Sequence, residues 1–171
     1  MEKTEGEALK EKLFNEKKTG WNDLSEDETK QVFKFSDEYM FYLNQAKTEK
    51  EIVNFSKEIL LKNDFKDLKE VDCLKPGDRV FWTNRNRSLY IAVIGKQKIE
   101  NGLKIVGAHG DSPRIDLKQN PIYEENEVAL LKTHYYGGIK KYQWATVPLA
   151  MHGVIAKTNG ERVVVSVGEN A

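Results

Sequence analysis

Apolar and polar positions divide this chain of 171 residues into a helical first third and a strand-rich remainder. Ser25 followed by Glu28 forms a capping box, the pairing that satisfies the free N–H groups at a helix start. Behind it Val32, Phe35, Tyr39, Met40 and Leu43 recur close to helical spacing. Thr48 with Glu51 repeats the signal and opens a second run, Ile52, Phe55, Ile59 and Leu60. The spacing predicts two amphipathic helices, each with a stripe that needs covering. It assigns Phe33, Phe35, Tyr39, Phe41 and Tyr42 to the core.

After Pro76-Gly77 the periodicity changes. Residues 78–83, carrying Val80, Phe81 and Trp82, read as a strand; 84–87 are a polar turn, 89–94 a second strand, and 95–102 a polar loop. Residues 103–108 are a short apolar run, predicted to be a buried third strand. Ile115 and Leu117 then alternate with Asp116 and Lys118, so a strand resumes there. From about Gln119 the texture shifts. Residues 120–127 (NPIYEENE) read as a polar loop, 128–136 as a strand and Gly137-Gly138 as a break. Residues 147–156 and 162–167 form a β-rich pair joined through Asn159-Gly160, a strong hairpin signal. Helices followed by strands on short turns predict an α/β or α+β domain rather than a bundle.

Composition narrows the function classes. Lys plus Arg and Asp plus Glu number 27 each, giving a formal net charge of zero. No nucleic-acid partner is therefore expected. No apolar run approaches ~18 residues, so no membrane span is expected either. The charged N-terminus lacks the apolar stretch of a signal peptide. The single cysteine, Cys73, excludes an internal disulfide framework and points to a reducing, cytoplasmic compartment. It is read as a small buried hydrophobe.

The candidate chemistry lies in residues 103–118, LKIVGAHGDSPRIDLK. His109 would stand at a strand end, where α/β folds place reactive groups. Asp111, two residues on, could accept a hydrogen bond from one ring nitrogen, which fixes the tautomer of a metal-binding histidine and raises its basicity. A structural histidine closing a strand is the alternative. Zinc takes about four ligands, of which a catalytic site draws three from protein, and the others are not evident. His134 (in KTHYYGG) and His152 (in LAMHGV) lie in strand-like runs and read as packed or surface histidines. Glu124, Glu125 and Glu127 read as a solvated face. There is no HExxH helix, no CxxC pair and no GK[ST] loop. Ser112 is followed by Pro113, outside any nucleophile elbow, so a serine hydrolase is the weakest reading.

The segment AHGDSPRIDLK resembles the His-x-Asp-Ser-Pro segment of the aspartyl aminopeptidase and vacuolar aminopeptidase I family of dinuclear zinc peptidases. The later stretch ALLKTHYYGGIKKYQWATVPLAMHGVI is similar to the clostridial-type bacterial branch of that family. The resemblance covers most of the chain, with the two motifs in family order. It implies an α/β fold: N-terminal helices and a mixed sheet of a zinc-peptidase domain over residues 1–118, then a β-rich inserted dimerisation domain beginning in residues 119–171. It implies that His109 is a zinc ligand and Asp111 the catalytic carboxylate beside it. It also implies two zinc ions per site, with cobalt or manganese as alternatives, and peptide substrates that lose N-terminal residues. The partner it implies is the chain's own kind, in a homo-oligomeric dodecamer. The family's bridging Asp, its Glu and further Asp ligands, its C-terminal His and its general-base Glu have no counterpart before Ala171. An active-site His from a neighbouring subunit is likewise expected just beyond it. Where the better-known branch has Trp-x-x-Trp-Phe-Asp-Arg, residues 140–145 are KKYQWA. The chain is therefore expected to be an N-terminal portion, inactive alone, since one imidazole and one carboxylate fall short of the ~10–16 kcal/mol that a full zinc ligand set supplies. A non-catalytic oligomerisation module is the competing expectation.

Overall fold

The structure is a computed structural model and describes residues 4–15 and 19–169. The chain divides into two compact units, Met1–Tyr42 and Leu43–Ala171.

The first unit holds α1 (Glu5–Leu13), a 3-10 turn (Gly20–Asp23) and most of α2 (Glu26–Gln45). The predicted cap is formed. Ser25 N–H donates to Glu28 Oε2 at 2.8 Å, and Glu28 N–H returns to Ser25 Oγ at 3.3 Å. Trp21 and Phe33 bring their rings within 6.0 Å. The helix is as predicted, but its aromatic stripe is not core. Phe33, Phe35, Tyr39 and Phe41 are exposed, and no described residue of this unit is buried. A stripe is buried only when something covers it, and a nine-residue helix and one turn offer too little surface.

The second unit is built on α3 (Glu49–Lys62), whose start is fixed by the Thr48–Glu51 capping box. Its C-terminus closes in a Schellman arrangement. Asp64 takes φ +62° while Phe65 N–H bonds Leu60 O and Asp64 N–H bonds Leu61 O. A sheet of β1 (Lys66–Asp67), β2 (Arg79–Asn84) and β3 (Ser88–Val93) follows, with β1 parallel and β3 antiparallel to β2. Val53 and Leu60 of α3 are buried with Val80 and Phe81 of β2, and Ala46 completes this small core. The Lys57 ammonium sits over the Phe81 ring. Asn86, in the β2–β3 turn, donates to Asn54 of α3 at 2.9 Å. Arg85 and Asn86 both have positive φ, the conformation that reverses a tight hairpin.

The expected third strand does not form. Residues 103–108 join no ladder, and Val106 is 98% exposed. An isolated apolar run has β character only once a neighbour supplies hydrogen bonds and side-chain partners. Cys73 is also exposed rather than buried, because it lies in the irregular stretch that leads to Pro76.

β4 (Arg114–Glu125) and β5 (Val128–Tyr136) form a long antiparallel hairpin. Residues 120–127 are thus mostly strand rather than the expected loop. Only the stretch between Leu117 and Ile122 is irregular, where Asn120 takes φ +50° and Pro121 has no N–H to donate. A short helix, α4 (Lys141–Trp144), follows the Gly137-Gly138 break. β6 (Met151–Ala156) and β7 (Arg162–Val167) form the second predicted hairpin. Its turn runs through Gly160 at φ +85°, with Gly160 N–H on Lys157 O and Lys157 N–H on Glu161 O. This strand starts at Met151 rather than 147, beyond Pro148. No helix among the described residues is long and apolar enough to cross a membrane.

Phe81 is 2% exposed in a core of few residues. Phe81→Ala is expected to cost about 3–5 kcal/mol, read as a lower denaturant midpoint. A loss under about 1 kcal/mol would mean that α3 does not rest on β2.

Candidate functional site

His109 and Asp111 lie in the irregular segment that leads into β4. His109 Nδ1 is 2.7 Å from Asp111 Oδ1 and 3.1 Å from the Asp111 carbonyl oxygen. Both partners are acceptors, so Nδ1 is the donor, and the neutral ring keeps its lone pair on Nε2. The His109 side chain is 83% exposed and that of Asp111 only 19%. The carboxylate is anchored while the imidazole faces out.

Tyr136 is the last residue of β5. Its phenol is the largest influence holding the Asp111 carboxyl below its ordinary range. Burial opposes the shift, and the His109 and Arg114 charges assist it. The same influence, in reverse, pushes the Tyr136 phenol up. Arg114, opposite Tyr136 in the β4–β5 register, lays its guanidinium 4.1 Å over the phenol ring. Arg114 is itself held by Asp116 at 2.7 Å and by Glu49 of α3 at 3.3 Å. Gly137 explains how the two chain segments come so close. It has φ +76°, and a Cβ there would lie 3.4 Å from Pro113 Cα.

The structure thus joins the two sequence-predicted residues and adds Tyr136 and Arg114, which the sequence reading missed. Their signal was positional, one residue opening β4 and its cross-strand partner closing β5, and it emerges only once the register is known. His134 lies elsewhere, exposed on β5 with its ring stacked on Tyr135 at 5.5 Å. Among the described residues, no three His, Cys, Asp or Glu side chains converge on a point where a metal ion could sit. The donor chemistry of His109 nevertheless fits zinc: an outward Nε2 lone pair with a carboxylate on the opposite nitrogen.

A second charged cluster surrounds His152 of β6, whose side chain is 14% exposed. Its Nδ1 is 2.8 Å from Glu51 Oε1, and its Nε2 contacts Glu169, which also pairs with Lys47 at 2.6 Å. Glu51 divides its oxygens, with Oε1 on His152 and Oε2 accepting from the N–H groups of Thr48 and Lys47. Burial alone would lower the His152 pKa, but the hydrogen bonds and charges of Glu51 and Glu169 outweigh it and hold it above 6.5. Burial would likewise raise Glu51, yet His152 and the Thr48 cap hold it below 4.5. The two carboxylates approach opposite ring nitrogens, so the cluster is a bracketed imidazolium and not a convergent ligand set.

Residues 42–170 match the family described as Aminopeptidase I zinc metalloprotease (M18). The chain belongs to this M18 family of aminopeptidases. It is 47% identical over 154 residues to a probable M18 family aminopeptidase 1 of Borrelia garinii subsp. bavariensis, covering 90% of this chain and 34% of that one. The corresponding protein of Clostridium acetobutylicum is 44% identical over 162 residues, covering 92% and 35%. The chain therefore spans about a third of the length of the curated relatives it matches. Its mixed α/β fold is found in the crystal structure of aminopeptidase I from Borrelia burgdorferi B31, with a TM-score of 0.85 at 42% identity, covering 90% of this chain and 38% of that one.

The His152 cluster gives stability a pH window. The raised His152 pKa contributes stability that is complete below 6.5 and is lost as pH rises through its folded value. The lowered Glu51 pKa contributes stability that is complete above 4.5 and is lost as pH falls through its folded value. The contact is therefore fully developed between pH 4.5 and 6.5. Thermal melts across pH should show wild-type stability declining above this window, and His152→Gln should lack that decline. Parallel profiles for the two proteins would remove His152 from the account.

Proposed function

We propose that His109 and Asp111 belong to the hydrolytic centre of a two-zinc aminopeptidase that removes N-terminal residues from peptides. The observation that carries the reading is the 2.7 Å contact between His109 Nδ1 and Asp111 on an otherwise outward-facing ring. In this reading His109 binds the metal through Nε2. Asp111 accepts the Nδ1 proton, fixes the ring orientation and makes the free nitrogen a stronger donor. When bound, zinc supplies Lewis-acid polarisation of the scissile carbonyl and an activated water. Cobalt or manganese would suit the same imidazole. The remaining ligands and the general base come from polypeptide outside these 171 residues. The domain plan proposed with this reading is a peptidase portion over 1–118 and the start of a dimerisation domain over 119–171. The irregular stretch between Leu117 and Ile122 in β4 supports a change of role there. We further propose a cytoplasmic homo-oligomer, in keeping with the lone cysteine and with the exposed apolar residues of the later hairpins, among them Ile122, Ile155 and Val164. The same exposed residues favour a second reading, a non-catalytic oligomerisation module.

In the longer enzyme that contains this sequence, His109→Ala should lose bound zinc and peptidase activity together. Asp111→Ala should weaken zinc binding or activity by about 10–100-fold. Unchanged zinc content with full turnover in His109→Ala would overturn the assignment. An oligomer of the 171-residue chain without turnover, beside a longer form that also lacks turnover, would favour the module instead.

A further inference from the structure

We propose that the β6–β7 hairpin is a separately docking element, clasped to the start of α3 by protonated His152 and released when that ring becomes neutral. The inference does not draw on any metal at His109.

The hairpin has little else to hold it. β6 and β7 pair with each other and with no other strand among the described residues. Neither strand has a buried described residue, and the described core is confined to Ala46, α3 and β2. Apolar burial, the usual driving force for docking one element on another, is therefore small here. The contacts that cross to the body are polar. His152 Nδ1 lies 2.8 Å from Glu51 Oε1, in the first turn of α3. Its Nε2 meets Glu169, two residues beyond β7. Glu169 also reaches Lys47, just ahead of α3, at 2.6 Å. Opposite His152 on β7 stands Ser166, which carries no charge. Glu51, Glu169 and Lys47 are thus the charged groups of this cluster among the described residues.

Two carboxylates against one imidazole make the contact depend on a single proton. An imidazolium donates from both ring nitrogens and satisfies both acceptors, whereas a neutral ring has one N–H. One nitrogen of the neutral ring then turns a lone pair toward a carboxylate. Loss of the proton therefore reverses one contact outright. Glu51 cannot swing aside, because its other oxygen caps α3 through the N–H groups of Thr48 and Lys47. The Lys47–Glu169 pair survives, but it is only partly buried and salt screens it. Burial alone would favour the neutral ring, yet the hydrogen bonds and charges of Glu51 and Glu169 outweigh it, so release falls above pH 6.5. A two-stranded hairpin set free in water is marginal, so release is read as lost protection of its amides.

The test is amide hydrogen exchange on the 171-residue chain at pH about 5.5 and about 9, corrected for the intrinsic pH dependence of exchange. The β6–β7 amides should be protected at the lower pH and lose about tenfold or more at the higher, the factor that one charge-assisted hydrogen bond supplies. The β2–β3 amides, which rest on Phe81, should fall much less. His152→Gln should give the hairpin equal protection at both pH values. Glu169→Gln should retain hairpin protection at the higher pH, because the neutral ring then donates to Glu51 from Nδ1 and accepts from the introduced amide at Nε2. A merely structural Glu169 would lose protection on that change. An unprotected hairpin at the lower pH, unchanged protection between the two, or a fall in parallel with β2–β3 would overturn the inference. So would a Glu169→Gln hairpin that loses protection at the higher pH as the wild type does.

Discussion

The second unit depends on carboxylates gathered at the first turn of α3. A helix start leaves N–H groups without intrahelical partners and carries the positive end of the backbone dipole, so acidic side chains collect there. Here they do more than cap. Glu51 gives one oxygen to the backbone of Lys47 and Thr48 and the other to His152 on β6. Glu49 reaches Arg114 at the start of β4. One helix end thereby fixes strands of two different hairpins that share no ladder with each other. The hydrophobic core alone could not do this, because among the described residues its buried members are confined to Ala46, α3 and β2.

How much of this was legible in the sequence depended on how local each signal was. The capping boxes at Ser25 and Thr48 were readable because their partners lie three residues away. The hairpin at Gly160 was readable because its turn residue is glycine, at a φ that other residues resist. Residues 103–108 were misjudged because apolar character shows that a run wants burial without naming what buries it. The stripe of α2 failed for the same reason. Glu51 had a visible reason for its place in the capping box, which concealed its second partner 101 residues away.

The candidate site divides along the same line. His109 and Asp111 are two residues apart, and their contact follows from chain geometry almost regardless of fold. Tyr136 lies far in sequence from both Asp111 and Arg114, and it meets Arg114 only because β4 and β5 pair in one register. A slip of one residue in that hairpin would put these two side chains on opposite faces. The irregular stretch between Leu117 and Ile122 therefore matters beyond its own location, since it sets the register on the side where the phenol and guanidinium meet.

The unladdered run at 103–108 has a colloidal consequence for the isolated polypeptide. It is an apolar stretch whose backbone joins no ladder, a place to which another copy can adhere. The formal charge of zero supplies no long-range repulsion to keep copies apart. Exposed apolar residues of the later hairpins, among them Ile122, Ile155 and Val164, add to the same tendency, so any chain that covers residues 103–108 removes one sticky edge among several.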